Sequence, residues 1–320
     1  LWVRGNFFIP DARKYWVKPS VKFLSQLLAK ESFDAIITTG PPHSVHLIGL
    51  KLKELHSIKW IADFRDPWTT IGYHKKLKLT AIAENRHKQL EKEVLNKADH
   101  IITTSTTTKQ EFEKISKKPV SVITNGYDYE PSSVFELDDK FSIAHIGSLL
   151  TGRNPMNFWK VLAELVVENE AFRKSLRLDF FGVVSQDVLD TIRSCQMTPY
   201  VQLHGYVTHQ QALVRQQSSQ VLLLVEIDSE ETQGIIPGKL FEYMASQRPI
   251  LAIGPKKWEA GVIIENTNTG HVFNYDETSE LKKVLLEWFN AYESSNLQRK
   301  TNGVVAYSRK ALTKQLTKLF

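Results

Sequence analysis

Val221-Leu222-Leu223-Leu224-Val225 lies at the centre of a strand read over residues 220–227, and it is apolar at every position. A strand with one wet face alternates apolar and polar residues, so a continuous run implies a parallel sheet buried on both faces. Similar segments recur outward from it, at residues 141–147, 177–182, 201–205, 249–254 and 270–275. Helical patterns lie between them. Over residues 154–168, Phe158, Val161, Leu162 and Leu165 fall on one helix face. Strand and helix repeating in this way describe a doubly wound α/β domain.

The first part of the chain keeps the same rhythm. Strands are expected at 34–39, 58–64, 98–104 and 120–124, with helices at 43–56 and about 81–97. Only about four strands precede the turn pair Asn125-Gly126. Residues 130–140 hold Pro131, two serines and four acids without periodicity, as a linker does. The last stretch, 307–320, spaces Leu312, Leu316 and Leu319 helically. The expected organisation is a first domain over 1–130, a linker over 131–140 and a second domain over 141–300. A final helix within 301–320 would pack back on the first domain.

Composition narrows the function classes. The 320 residues are 42% hydrophobic and 24% charged, an ordinary globular mix that excludes disordered and collagen-like chains. No apolar run reaches the roughly 18 residues needed to cross a bilayer. A single cysteine, Cys195, allows neither an internal disulfide nor a thiolate metal cluster, which fits a reducing, cytoplasmic compartment. The net charge of +6 is uneven. Residues 1–130 carry 21 Lys+Arg against 14 Asp+Glu, and residues 131–320 carry 20 against 21. Anionic membrane, nucleic acid, acidic substrate or plain solubility would each account for the basic first part.

Two loops of the second domain carry candidate chemistry. In Gly147-Ser148-Leu149-Leu150-Thr151-Gly152-Arg153-Asn154-Pro155 a strand ends, two glycines follow, and Pro155 opens a helix. Glycines let backbone amides approach a phosphate, and Arg153 adds a fork of donors. A plain turn with a surface arginine reads equally from these residues. In Thr232-Gln233-Gly234-Ile235-Ile236-Pro237-Gly238-Lys239-Leu240-Phe241-Glu242-Tyr243-Met244-Ala245 a second loop leads to a helix opened by Pro237. Lys239 and Glu242 share a helix face there. They read as a diphosphate cation and a ribose-holding carboxylate, or as a surface ion pair.

Taken together, the strand with Gly-x5-Arg and the later Pro-Gly-Lys-x2-Glu-Tyr-Met-Ala-x3-Pro-Ile resemble the donor half of group 1 (family 4-like) glycosyltransferases of the GT-B fold. The resemblance implies two doubly wound Rossmann-like α/β domains facing across a cleft. It also implies a nucleotide-diphosphate-sugar donor, with no cofactor and no metal. On the residues that match, Gly147, Ser148, Arg153, Gly238 and Lys239 would meet the diphosphate and Glu242 the ribose. Gly205, Tyr206 and Val207 would line the base. Two positions depart from the pattern. Ser148 stands where many members have a basic residue, and Gly234 stands where many have a second glutamate, so the donor sugar is not readable.

In the first domain, Gly40-Pro41-Pro42-His43-Ser44-Val45-His46 opens a helix, with both histidines placed to look toward a cleft. The pair serves packing or capping equally well. Ala62-Asp63-Phe64-Arg65-Asp66-Pro67-Trp68 puts two acids and an arginine at a strand end. It reads as a salt-bridged turn, or as a site where Asp66 holds or deprotonates an acceptor hydroxyl. Trp68 is either a sugar platform or core. Glu91 is either functional, as the family's arrangement suggests, or part of a solvated helix face. The resemblance implies catalytic roles for Asp66, His43, Arg153 and Lys239 and a carbohydrate or lipid-linked acceptor. It also implies a retaining outcome. The basic first domain adds an anionic membrane surface as partner, with peripheral attachment and no nucleic acid. The first domain further looks incomplete at its start, lacking the family's opening strand, glycine loop and helix. Nucleotide-sugar epimerisation and non-catalytic nucleotide-sugar binding are the competing readings.

Overall fold

The computed structural model describes residues 1–129, 135–298 and 300–320, so residues 131–134 of the expected linker lie outside the described residues. The chain divides into two compact units, residues 1–125 with 310–320, and residues 126–309.

The first unit opens with helices α1 (Trp2–Phe7) and α2 (Val17–Leu28). Then follow β1 (Ala35–Gly40), α3 (Ser44–His56), β2 (Lys59–Phe64), the short α4 (Gly72–Lys75) and α5 (Ala81–Lys97). The unit continues with β3 (His100–Thr103), α6 (Thr106–Ile115) and β4 (Val120–Val122). The sheet order is β1-β2-β3-β4, and every pairing is parallel. Strand β2 shows why these residues form a covered strand. Trp60, Ala62 and Phe64 join a core with Val94, Leu95 and Phe112 on one face, while Ile61 faces Ile102, Ile123 and Leu312 on the other.

Helices α1, α2 and α6 are absent from the sequence reading, for physical reasons. Helix α2 buries no residue fully, but Val17, Val21, Leu24 and Leu28 form a half-buried stripe against α3, which Pro19 in the first turn masks in the sequence. Helix α6 starts on three threonines, which are poor helix formers, and is held by its cap, where Ser105 accepts from the Thr108 N–H at 3.2 Å.

The second unit runs β5 (Phe141–Ile146), α7 (Met156–Glu168), α8 (Glu170–Ser175), β6 (Leu176–Phe181) and α9 (Gln186–Ser194). It continues through β7 (Val201–Gly205), α10 (His209–Ser218), β8 (Val221–Val225), α11 (Lys239–Ala245) and β9 (Ile250–Ile253). Helix α12 (Glu259–Asn266), β10 (Gly270–Phe273) and α13 (Thr278–Glu293) complete it. The final helix α14 (Arg309–Leu316) returns to the first unit, where Leu312, with Leu316 and Leu319, covers Ile61, Ile102 and Ile123.

The sheet order of the second unit is β10-β9-β8-β5-β6-β7, again with all pairings parallel. The apolar run of β8 is explained by two cores. Val221, Leu223 and Val225 pack with Phe158, Leu162 and Phe289, while Leu222 and Leu224 pack with Leu240, Phe241 and Trp258. Between β5 and β8 the chain order reverses direction, and this switch point is where doubly wound sheets open a crevice for ligands.

No helix among the described residues is long and apolar enough to cross a membrane. Leu223 is 1% exposed at the centre of one core. Leu223→Ala is expected to destabilise the second unit by about 2–5 kcal/mol. Urea unfolding followed through Trp159 and Trp288 fluorescence measures this, and a loss below about 1 kcal/mol contradicts the two-faced core.

Candidate functional site

Loops leaving β5 and β8 meet at the switch point of the second unit. Glu226 directly follows β8 with its side chain 1% exposed, and a carboxylate buried that deeply needs a cation. Arg153 supplies it, with Nε at 3.1 Å and Nη2 at 2.9 Å from the same Glu226 oxygen. The Glu226 carboxylate also accepts from the Ile227 N–H at 2.9 Å. Sequence reasoning missed Glu226, although a lone acid closing an apolar strand was a signal.

Lys239 is the first residue of α11, after Gly238 at the N-cap, so the helix starts two residues later than Pro237. Its Nζ lies 3.3 Å from His145 Nε2. His145 is buried in β5 and donates from Nδ1 to the Leu223 carbonyl at 3.0 Å, which leaves Nε2 as the acceptor for the lysine. Burial, and then the nearby Arg153 charge, lower the Lys239 pKa to about 8, against the opposing pull of Glu226 and Glu242. His145 is held well below its ordinary value by burial and then by Lys239, so it stays neutral. This histidine was also missed. Its mark was an imidazole interrupting an otherwise apolar strand.

Gly147 allows this approach. Its φ is +113°, and a Cβ there would stand 2.7 Å from Lys239 Nζ. Glu242 is engaged elsewhere, accepting from His209 Nε2 and Gln216 Nε2, each at 2.9 Å. The surface ion pair between Lys239 and Glu242 is therefore not formed among the described residues. Beyond β7, Gly182 N–H donates to the Gly205 carbonyl at 2.6 Å, and Asp179 bonds His204 Nε2 at 2.7 Å, so both brace the loop of Gly205, Tyr206 and Val207. Tyr206 is 92% exposed. A cavity of about 1210 Å³ beside that loop takes in Phe181, His204, Val207 and Arg215 but neither Arg153 nor Lys239.

In the first unit, His43 caps α3, is 5% exposed and stacks on Trp68 with ring centroids 4.8 Å apart. Both of its ring nitrogens are buried without a partner. Burial chiefly lowers its pKa to about 4, with Asp11 opposing and His87 and His74 adding to the fall. Asp66 is half-buried and, among the described residues, has no hydrogen-bond partner. Burial raises its pKa against the lowering effect of Arg65.

Comparison with known proteins now bears on these two units. Residues 2–131 match the family model described as Glycosyltransferase Family 4. No curated protein matches the chain by sequence. Among solved structures, a sucrose-phosphate synthase from Thermosynechococcus elongatus shares 16% identity at a TM-score of 0.63, covering 96% of this chain and 78% of that one. Anabaena HepE, solved with UDP-glucose, shares 13% identity at a TM-score of 0.63, covering 93% and 81%. A structure described as a UDP-N-acetylglucosamine 2-epimerase from Listeria monocytogenes shares 15% at 0.55, covering 95% and 78%.

The chain has the GT-B glycosyltransferase fold.

Within the second unit of this GT-B chain, Gly147, Arg153, Gly238 and Lys239 converge on one end of the sheet, with Ser148 in the same loop. Glu242 follows one turn along α11. In the first unit, the structure decides three readings that the sequence leaves open. His46 does not look toward a cleft. It is fully buried, with Nδ1 2.9 Å from Thr38 Oγ1 and its ring stacked on Phe64, because Gly40 leaves it room. Trp68 is core, 1% exposed, and its face is taken by His43. Glu91 is no solvated face. It is 2% exposed and accepts from the Thr69 N–H at 3.1 Å, bracing the segment after Asp66. Arg65 ties Asp63, at 3.3 Å, and the Ile123 carbonyl rather than Asp66. Asp66 also does not line the cavity that contains His43. No group of three or more His, Cys, Asp or Glu among the described residues is arranged to hold a metal ion.

Gly147→Ala places a side chain at a positive φ, at a cost of about 1–3 kcal/mol. It also displaces Lys239, whose flexible end moves at little further cost. The expected result is a lower melting temperature with the Lys239 titration midpoint moved from near 8, read by NMR of the ε-methylene. An unmoved midpoint contradicts the contact.

Proposed function

We propose that this chain transfers a sugar from a nucleotide-diphosphate donor to an acceptor hydroxyl, in the synthesis of a cell-surface polysaccharide or glycolipid. The observation that carries this reading is the pair Arg153 and Lys239 at the β5/β8 switch point, a fixed cationic end to the sheet. Bond cleavage in such a donor builds negative charge on the departing diphosphate. Cations already oriented by Glu226 and His145 stabilise that charge without reorganising. Burial first, and then repulsion by Arg153, hold the Lys239 pKa down. An arriving diphosphate relieves that repulsion and favours the charged lysine. Helix α7, entered through the Gly147–Pro155 loop, turns its N-terminal amides toward the same end.

Glu242 holds the ribose in this reading, exchanging its His209 and Gln216 donors for the diol. Asp66, without a partner and with raised pKa, takes the acceptor hydroxyl in the first unit, and His43 assists the binding of the acceptor there. Retention of anomeric configuration and independence of metal and cofactor follow from the family resemblance. Epimerisation on the same fold is the second reading, supported by the epimerase neighbour. Analysis of products from donor alone separates the two. We also infer peripheral attachment to an anionic membrane surface, supported by exposed Trp2, Phe7, Tyr15, Trp16 and Phe23 among Arg13, Lys14, Lys18 and Lys22.

Lys239→Ala and Arg153→Ala are each expected to weaken UDP or GDP binding by about tenfold or more while changing nucleoside binding little. Equal loss for both ligands overturns the diphosphate assignment. The pH dependence has a definite sign. Free Lys239 is half deprotonated near pH 8 and charged when bound, so on diphosphate binding it takes up about half a proton at pH 8 and almost none at pH 6. Calorimetry at each pH in two buffers of different ionisation enthalpy reads this directly. Asp66→Asn is expected to abolish transfer while leaving nucleotide binding intact, and turnover equal to wild type removes Asp66 from the mechanism.

A further inference from the structure

The first unit holds a further cavity, of about 810 Å³, whose mostly apolar wall includes His43, His74, His87, Arg4, Arg13 and Lys76. Three buried imidazole nitrogens in that wall, both of His43 and Nε2 of His74, have no hydrogen-bond partner, while the rings are only 5% and 8% exposed. His87 is different. Its Nδ1 accepts from Trp68 Nε1 at 3.2 Å, and Nε2 donates to the Gly5 carbonyl at 3.4 Å. His46 Nε2 is also buried and unpaired but lies outside this lining, so the His43 and His74 nitrogens are the ones that bear on the cavity.

We propose that this cavity is a subsite for an anionic carbohydrate, a sugar bearing a phosphate or carboxylate beside its hydroxyls. The proposal rests on the reading of the chain as a sugar transferase whose first unit takes the acceptor. A neutral imidazole offers one donor and one acceptor, the same pair that a sugar hydroxyl presents. Burial keeps His43 neutral. Stacking on Trp68 holds its ring plane nearly parallel, at 2°. The anionic group is called for by the cations. Arg4, Arg13 and Lys76 form no ion pair among the described residues. The one carboxylate in the wall, Asp11, is already engaged by the Ser44 N–H at 2.8 Å and Ser44 Oγ at 3.0 Å. A neutral sugar leaves these cations unanswered, and a bare phosphate leaves the imidazoles unanswered. A metal ion is disfavoured by the surrounding positive charge.

The experiment titrates the full chain with glucose 1-phosphate, glucuronate, glucose and inorganic phosphate. Calorimetry gives affinities and ¹H–¹⁵N spectra follow the imidazoles, assigned from His43→Gln and His74→Gln. One of the two anionic sugars is expected to shift the His43 and His74 resonances and to bind about tenfold tighter than glucose or phosphate. The phosphate and carboxylate arms decide which anion is meant. Arg13→Ala and Lys76→Ala, both exposed, are expected to weaken that binding about three- to tenfold each, while Lys239→Ala leaves it unchanged. If a histidine variant does not fold, these two still carry the test. Equal affinity for glucose and both anionic sugars, or resonances that stay still while UDP binds normally, overturns the proposal. Simple hydration of the cavity would give that result. Loss of UDP binding with sugar-phosphate binding retained instead removes the donor reading and leaves the cavity's ligand class standing.

Discussion

Burying a parallel sheet on both faces leaves its strands no position at which to carry exposed polar chemistry. In the second unit β5, β8 and β9 are buried at every residue, so charge can stand only where strands end. The order of the strands then selects one end. Chain direction across the sheet reverses between β5 and β8, and the loops leaving those two strands are the ones that bring Arg153, Glu226 and Lys239 together.

The electrostatics of that end follow from burial. Glu226, nearly without solvent, is held by Arg153 through two nitrogens, and this fixes the guanidinium without using all of its donors. Among the described residues Lys239 forms no ion pair with a carboxylate. It leans on a neutral imidazole, which orients the ammonium but does not neutralise it. Glu242 is drawn aside by His209 and Gln216. The cluster is therefore an anchored cation beside an unneutralised one, an arrangement that costs the free protein and favours an anion.

The first unit uses the same parallel topology with other contents. Its strand ends present imidazoles kept neutral by burial, an aspartate spent on the start of α3, and Asp66 held half-buried with no hydrogen-bond partner among the described residues. Arg65, which the sequence sets between two acids, sides with Asp63 because the third strand's neighbour supplies the Ile123 carbonyl on that side.

Much of this was legible in the sequence. Apolar runs marked nearly every strand of both sheets, since a two-faced strand must be apolar throughout, and the Gly-x5-Arg and Pro-Gly-Lys-x2-Glu patterns marked the loops that carry charge. Leu312, Leu316 and Leu319 announced a helix that packs. What local pattern could not decide was partnership. Whether Glu91, His46 and Trp68 lie in core or at surface, that Lys239 meets His145 rather than Glu242, and that Glu226 anchors Arg153 are matters of distance between residues up to 94 positions apart. Such pairings depend on which strands become neighbours. Strand order is set by the packing of helices on both faces of the whole sheet, and only the folded chain decides it.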